Sequence, residues 1–399
     1  MRVVHYCQHV LGMGHFFRSL EIDKALLNHD VTLITGGTPL AITYPEHVNV
    51  VELPPLSMDE NFGTFVHTDE AGNTHALTDS EITSIQQKRT RMLCDTLKEL
   101  QPDVFLVELF PFGRKRFSFE LIPALELAKR GELGNMRTVC SVRDILVEKN
   151  APQKFEQRVV SILNTYFDCV LVHTDPNVIT LDATFNKLDE LAIPVHNTGY
   201  ITPLPCTSPA ETPQNHPSMM TDVPFILGSI GSGSVYPELM ENLVKASILL
   251  ANDLEHTLLV STGPFMNPEY KERVKMLSND QQHITVTEFI PDFVDYLCTA
   301  DLSVSMAGYN TTMNLLAVNT FGLVFPFDQN REQRMRSTSL ERLGVMKVLE
   351  QKDISPPTLS ALLQTYLQEQ PVQYKQHTID LSGAQKSVEL LEQIADNTL

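Results

Sequence analysis

The sequence predicts two α/β domains, each built on a parallel sheet covered by helices on both faces. Three observations lead there. Apolar β-type runs alternate with amphipathic helical stretches along almost the whole chain, as in sheets whose strands are buried on both sides. The alternation stops at a proline-dense stretch, residues 202–224, and then restarts. The length, 399 residues, is that of about two domains at a soft prior of ~150 residues each.

The first strand is Arg2-Val3-Val4-His5-Tyr6. It runs into Cys7-Gln8-His9-Val10-Leu11-Gly12-Met13-Gly14-His15-Phe16-Phe17-Arg18, where Gly12 and Gly14 permit a sharp turn and close approach of another molecule. A helix opens there, with apolar residues at Phe16, Leu20, Ala25 and Leu26. Its free N–H groups and positive dipole end point at whatever occupies the turn. His15, at the start of that helix, is the candidate for proton transfer. Gly-x-Gly-His by itself suits a simple turn with a capping histidine equally well. The full dinucleotide fingerprint is absent, because Phe17 and Arg18 stand where its third small residue belongs.

Further buried strands are expected at Val31-Thr32-Leu33-Ile34, Val104-Phe105-Leu106-Val107, Thr138-Val139-Cys140-Ser141-Val142 and Cys169-Val170-Leu171-Val172, with helices over 84–100 and 155–166. Six prolines then fall between 203 and 224, which marks a linker. Beyond it come a strand at 225–227, a helix at 237–250 and strands at 256–261, 283–289, 302–305 and 323–325. The boundaries that follow are a first domain over 1–201, a linker over 202–224, a second domain over 225–378 and a last amphipathic helix within 379–399. Ligands of such sheets bind beyond the carboxyl ends of the strands, so two of these domains predict a central cleft between them.

A 42% hydrophobic and 20% charged composition is that of a soluble globular chain, with no apolar run near the ~20 residues of a membrane span and no signal peptide. A cytoplasmic protein is expected. Cys7, Cys94, Cys140, Cys169, Cys206 and Cys298 have no regular spacing and suggest neither disulfides nor zinc. A net charge of −19 argues against nucleic acid as a partner and weakens attraction to anionic membranes. The local exception is Arg114-Lys115-Arg116, which reads as a solvated face or as a patch for an anionic acceptor or lipid headgroup, leaving a weak peripheral membrane contact open.

Two turns in the second half suit phosphate. Gly228-Ser229-Ile230-Gly231-Ser232-Gly233-Ser234 follows a strand and is expected to open a helix, offering backbone amides and hydroxyls. Ser305-Met306-Ala307-Gly308-Tyr309-Asn310-Thr311-Thr312 repeats the arrangement. After another strand, Asp328, Glu332 and Gln333 offer the paired hydrogen bonds that hold sugar hydroxyls.

These blocks, with Thr287-Glu288-Phe289-Ile290, resemble the nucleotide-sugar glycosyltransferases of GT-B fold, in particular the N-acetylglucosaminyltransferases that make the lipid-linked peptidoglycan precursor. Glu108-Leu109-Phe110-Pro111-Phe112-Gly113-Arg114, Ser141-Val142-Arg143-Asp144-Ile145-Leu146-Val147 and Val172-His173-Thr174-Asp175-Pro176 are similar to a bacterial family labelled predicted glycosyltransferases. The resemblance implies two Rossmann-like domains facing a central cleft. It also implies transfer from a UDP-linked hexose or N-acetylhexosamine to an acceptor hydroxyl, the nucleotide sugar being a co-substrate and no other cofactor being needed.

On the donor side, the resemblance implies that Phe289 and Ile290 meet the base through their backbone. Gly231, Ser232, Gly233 and Ser234, with Gly308, Asn310 and Thr311, hold the diphosphate. Asn314 stands where relatives carry a ribose-binding glutamate, and so lacks the charge-assisted bonds. The segment Thr198-Gly199-Tyr200-Ile201 lacks an arginine that some relatives place just beyond it. Glu332 and Gln333 hold the donor sugar. His15 faces the acceptor as first choice of base, with Asp144 and Glu108 as second choices or as its orienters. Gly12, Gly14, Arg18, Arg114 and Arg143 complete the acceptor side, and Arg143 with Asp144 equally suits a structural ion pair. His173, near a strand end, reads as a satisfied structural histidine.

No Asp-x-Asp pair occurs, so helix dipoles and hydroxyls rather than a metal are expected to offset the leaving-group charge. Two alternatives stand beside transfer: a nucleotide-sugar hydrolase, which Gly-x-Gly-His-x-x-Arg also fits, and a non-catalytic nucleotide-sugar-binding protein.

Overall fold

The computed structural model describes residues 1–10, 14–37, 42–58, 64–68, 74–147, 151–203, 223–291, 293–327, 331–368 and 377–398. Gly12, Asp328, Cys206 and nearly all of the expected linker lie outside them. The chain divides into two compact units, Met1–Thr202 with Asp380–Leu399, and Pro203–Ile379.

In the first unit the strands are β1 (Arg2–Tyr6), β2 (Asp30–Thr35), β3 (Val48–Glu52), β4 (Ser57–Met58), β5 (Phe65–Thr68), β6 (Thr74–Ala76), β7 (Val104–Glu108), β8 (Arg137–Arg143), β9 (Cys169–His173) and β10 (Val195–Asn197). Among the described residues, seven of them form an all-parallel sheet in the order β10-β9-β8-β7-β1-β2-β3. The short strands β4, β5 and β6 make a separate antiparallel sheet, which the sequence pattern did not announce because each is four residues or fewer.

Strand alternation divides the core of this unit between two faces. Val4, Tyr6, Phe105, Val107, Cys140, Val142, Val170 and Val172 pack on one face with the helices α2 (Asp79–Leu100), α3 (Ser118–Lys129) and α4 (Pro152–Tyr166). Val3, Cys7, Val104, Leu106, Val139, Cys169 and Leu171 pack on the other, under Phe16, Leu20 and Ile22 of α1 (Gly14–Ala25). That second layer also takes Val388, Leu391 and Ile394 of the final helix, Gly383–Ala395. Its apolar residues thus cover the first unit's sheet beside α1, so the last element in sequence completes the first unit.

The second unit has a six-stranded parallel sheet. Its strands are β11 (Phe225–Ser229), β12 (Thr257–Ser261), β13 (Ile284–Thr287), β14 (Leu302–Met306), β15 (Gly322–Phe325) and β16 (Met346–Val348), in the order β13-β12-β11-β14-β15-β16. Helices α5 (Glu238–Leu250), α6 (Pro268–Ser278), α7 (Phe293–Thr299), α8 (Tyr309–Val318), α9 (Arg331–Arg342) and α10 (Pro356–Gln368) connect or flank them. Because every strand runs the same way, all strand-to-helix loops of a unit collect at the carboxyl edge of its sheet. Both candidate sites sit on such edges.

Candidate active site

At the carboxyl edge of the first unit the apolar layer under α1 turns polar. Glu108 closes β7 on the face of Val104 and Leu106, and Ser141 of β8 is its register partner. Two residues further along β8, Arg143 pairs with His173 of β9, so Glu108, Ser141 and His173 share one face. Helix α1 lies over that face and lowers His15 and Arg18 onto Glu108. His15 Nδ1 stands 2.8 Å from Glu108 Oε1, and the Arg18 guanidinium donates to the same oxygen. Ser141 Oγ donates to Oε2 at 2.6 Å. Leu109, immediately after Glu108, takes a left-handed φ of 68° and turns the chain away from the strand.

The charge states follow from this packing. Burial opposes ionisation of Glu108, but the Arg18 charge and the hydrogen bonds of His15 and Ser141 hold its carboxyl well below the usual carboxylate range. Burial pushes the His15 imidazole down to about 3; the Glu108 hydrogen bond opposes this, and the charges of Arg18 and Arg114 reinforce it. His15 Nδ1 lies between the Glu108 carboxylate at 2.8 Å and the Arg18 guanidinium at 3.0 Å; paired with the carboxylate, a neutral His15 carries its proton on Nδ1. Nε2 then carries the lone pair, without a hydrogen-bond partner among the described residues, on a side chain 22% exposed. That is the geometry of an oriented general base.

The remaining residues predicted for this side are placed as follows. Gly14 is the first residue of α1. Arg114, read from the sequence as part of a solvated basic face or anion patch, turns inward instead. At φ 55° it donates Nε to the Gln8 carbonyl at 2.6 Å, leaving Lys115 and Arg116 exposed. Its inward course explains why its charge is felt at His15. Asp144 is buried and accepts the Ile145 amide at 2.8 Å, while Arg143 Nε donates to the Ile145 carbonyl at 3.0 Å. The carboxylate on His15 is that of Glu108.

Beside this cluster, still on the carboxyl edge, lies a cavity of about 310 Å³ lined by His9, Thr35, Gly37, Tyr44, Glu52 and Met92, among others. It adjoins α1 through an aromatic chain, in which Phe16 meets the His9 ring edge-on at 5.5 Å and the Tyr44 ring at 6.2 Å.

The carboxyl edge of the second unit is built differently. After β11 the chain passes through Gly231 and Gly233, both at positive φ (62° and 89°). A Cβ on Gly233 would stand 2.3 Å from the Thr262 carbonyl oxygen, so only glycine fits there. The Phe265 amide donates to Ser232 O at 2.8 Å, which locks this loop to the one after β12. Ser232 and Ser234 are in hydroxyl contact at 3.2 Å. The loop does not open the helix directly, contrary to expectation. Tyr236 and Pro237 intervene and α5 begins at Glu238, since proline ahead of a first turn forfeits no helical hydrogen bond.

The second turn behaves as expected. Gly308 caps α8 with extended dihedrals and no side-chain hydrogen bond, so the first amides of the helix stay unpaired by a cap. Asn310, Thr311 and Asn314 follow on that helix, partly exposed, their side chains making no hydrogen bond to other described residues. Phe289 is 64% exposed and Ile290 buried, just beyond β13; Thr287 Oγ1 donates to Phe289 O at 3.1 Å. Glu332, in the first turn of α9, is buried. Gln333 Oε1 accepts the Phe327 amide at 3.0 Å, so one side of its amide is committed to the fold. Among the described residues no group of three or more His, Cys, Asp or Glu is placed to hold a metal, and no helix is long and apolar enough to cross a membrane.

Sequence reasoning missed the support behind Glu108. Ser141 and Thr198 were not singled out, and His173 was read as merely structural. The only signal was their place at or just beyond the ends of neighbouring strands.

Comparison with known proteins matches residues 230–393 to the glycosyltransferase family 28 C-terminal domain. A Haemophilus influenzae UDP-N-acetylglucosamine--N-acetylmuramyl-(pentapeptide) pyrophosphoryl-undecaprenol N-acetylglucosamine transferase is 25% identical over 162 residues. The match covers 40% of this chain and 45% of the relative, so the chain spans about half the length of such relatives. An uncharacterized glycosyltransferase of Methanosarcina acetivorans is 21% identical over 85% of this chain and 83% of its own. The crystal structure of TcCGT1 in complex with UDP superimposes with a TM-score of 0.65, at 15% identity, over 99% of both chains. In fold and in the family 28 domain of its second half, the chain is therefore a GT-B protein related to the peptidoglycan-precursor N-acetylglucosaminyltransferases.

Proposed function

We propose that the chain moves a sugar from a nucleoside-diphosphate sugar, UDP-linked in the first instance, to an acceptor hydroxyl by direct displacement. The observation that carries this reading is the His15–Glu108 pair, a neutral imidazole held by a buried carboxylate with its Nε2 lone pair bare. The acceptor oxygen attacks the anomeric carbon and its proton passes to Nε2. The bond from that carbon to the diphosphate breaks, and the leaving group departs with its pair of electrons through an oxocarbenium-like transition state. The cavity beside α1 is the entry we assign to the acceptor.

The second unit supplies the donor site in this reading. The glycine loop 231–234 and the open amides of α8 take the diphosphate, offsetting its charge without a metal. Phe289 and Ile290 meet the base, Asn314 the ribose, and Glu332 with the NH₂ of Gln333 the sugar. The UDP complex of TcCGT1 and the UDP-N-acetylglucosamine used by the Haemophilus influenzae transferase support uridine and a hexose or N-acetylhexosamine.

The test is release of UDP from UDP-N-acetylglucosamine and UDP-glucose, with and without a panel of hydroxyl acceptors. Release that depends on an acceptor supports transfer. Free sugar without acceptor would instead identify a hydrolase, and binding without release a non-catalytic binding protein.

A further inference from the structure

Glu108 is one end of a buried hydrogen-bond chain that reaches across three strands. Ser141 Oγ, 2.6 Å from Glu108 Oε2, is also 2.9 Å from His173 Nε2. His173 Nδ1 is in turn 2.9 Å from Thr198 Oγ1, just past β10. Glu108, Ser141, His173 and Thr198 are all buried, with at most 1% exposure.

With Glu108 ionised, the Glu108–Ser141–His173 part of the chain admits one set of proton positions. An ionised Glu108 has no hydrogen to give, so the single Ser141 hydroxyl hydrogen goes to it. Ser141 can then only accept from His173, which must carry its proton on Nε2. A neutral His173 therefore presents Nδ1 as an acceptor to the Thr198 hydroxyl, whose one hydrogen it shares with the Gly199 carbonyl, also at 2.9 Å. Burial, reinforced by the Arg18 charge, pushes His173 down to about 3, which keeps it neutral. Glu108 has two oxygens with separate duties: Oε1 receives His15 and Arg18, while Oε2 is held, among the described residues, by Ser141.

We propose that Ser141 and His173, backed by Thr198, are positioning residues that fix the plane of the Glu108 carboxylate and thereby hold His15 in the tautomer with Nε2 bare. The inference rests on the reading of His15 as the base. It assigns opposite tautomers to two histidines of one network, Nδ1–H for His15 and Nε2–H for His173. It also gives a buried serine–histidine pair a role for which core packing has no use, since an apolar pair would fill the same space without polar atoms to satisfy.

The test needs no substrate. Full-length protein labelled with ¹⁵N-histidine reports each ring's tautomer by long-range proton–nitrogen NMR at pH 7. The expected wild-type spectrum has His15 wholly Nδ1–H and His173 wholly Nε2–H. Ser141→Ala and, independently, His173→Phe should release His15 into a mixture of tautomers. His173→Gln, whose amide nitrogen still donates to Ser141, should restore a single Nδ1–H form. Thr198→Val should loosen His173 first and His15 less. A His15 that stays locked as Nδ1–H in both Ser141→Ala and His173→Phe would overturn the proposal, as would an Nδ1–H form of His173 in the wild type. Failure of the underlying reading shows itself separately, as undiminished UDP release by His15→Ala.

Discussion

The two carboxyl edges solve opposite problems. That of the first unit is crowded and closed: Arg18, Glu108, Ser141 and His173 are all buried, and each finds its partner within the protein. That of the second unit is sparse and open, with glycines at positive φ, a helix start without a side-chain cap, and the side chains of Asn310, Thr311 and Asn314 without hydrogen bonds to described residues. A group that must hold one proton state benefits from a fixed, dry surrounding. A site that must receive a charged ligand needs donors not already spent on the fold. In the function proposed above, the closed edge serves proton transfer and the open edge ligand binding.

The largest effect should come from breaking the closed edge. His15→Ala should lower turnover by ~10²–10⁴, the usual contribution of general acid–base catalysis, with UDP affinity unchanged. Gly233→Ala attacks the open edge: its Cβ would meet the Thr262 carbonyl at 2.3 Å and the backbone sits at φ 89°. Loop 231–234 must then rearrange, and UDP affinity should fall at least about tenfold, equivalent to ~1.4 kcal/mol. A smaller effect is expected at Asn314. Asn314→Ala should weaken uridine nucleotide binding by about 1 kcal/mol, one net hydrogen bond, and Asn314→Glu should tighten it. No change in either variant would remove Asn314 from the nucleotide site.

A further effect is on stability against pH. His15 and His173 have folded values near 3, depressed from the 6.5 of a free histidine. Between those values the unfolded chain binds protons that the folded chain does not, so stability is full above about pH 6.5 and is lost as pH falls toward 3. Glu108, depressed from 4.5, adds in the same direction at lower pH. Thermal unfolding should therefore come earlier at pH 5 than at pH 7. In His173→Phe the loss between those values should be smaller, because one proton-uptake site is gone.

The contrast between the edges also governs what the sequence could reveal. Both parallel sheets were legible, because Val104–Val107 or Cys169–Val172 as uninterrupted apolar runs mean strands buried on both faces. The turns of the open edge were legible too, since Gly231 and Gly233 sit at positive φ, a local requirement of the backbone. The closed edge was half legible. His15 stands out beside its glycines, but nothing local says that Glu108 rather than Asp144 reaches it. That depends on strand register, which sets Glu108 beside Ser141 and Arg143 beside His173. Arg114 misled for a similar reason, because a basic triplet suggests solvent while a left-handed turn aims this one side chain at Gln8 O. The last helix reads as an appendix to the second domain until packing shows Leu391 and Ile394 in the layer with α1.

The division of labour is tested most directly by calorimetric titration of UDP into the wild type, His15→Ala and Gly233→Ala. The account predicts the same dissociation constant for wild type and His15→Ala, and a value at least about tenfold weaker for Gly233→Ala. Lost UDP affinity in His15→Ala, with Gly233→Ala binding as the wild type does, would contradict it and make the glycine turn of the first unit the nucleotide site.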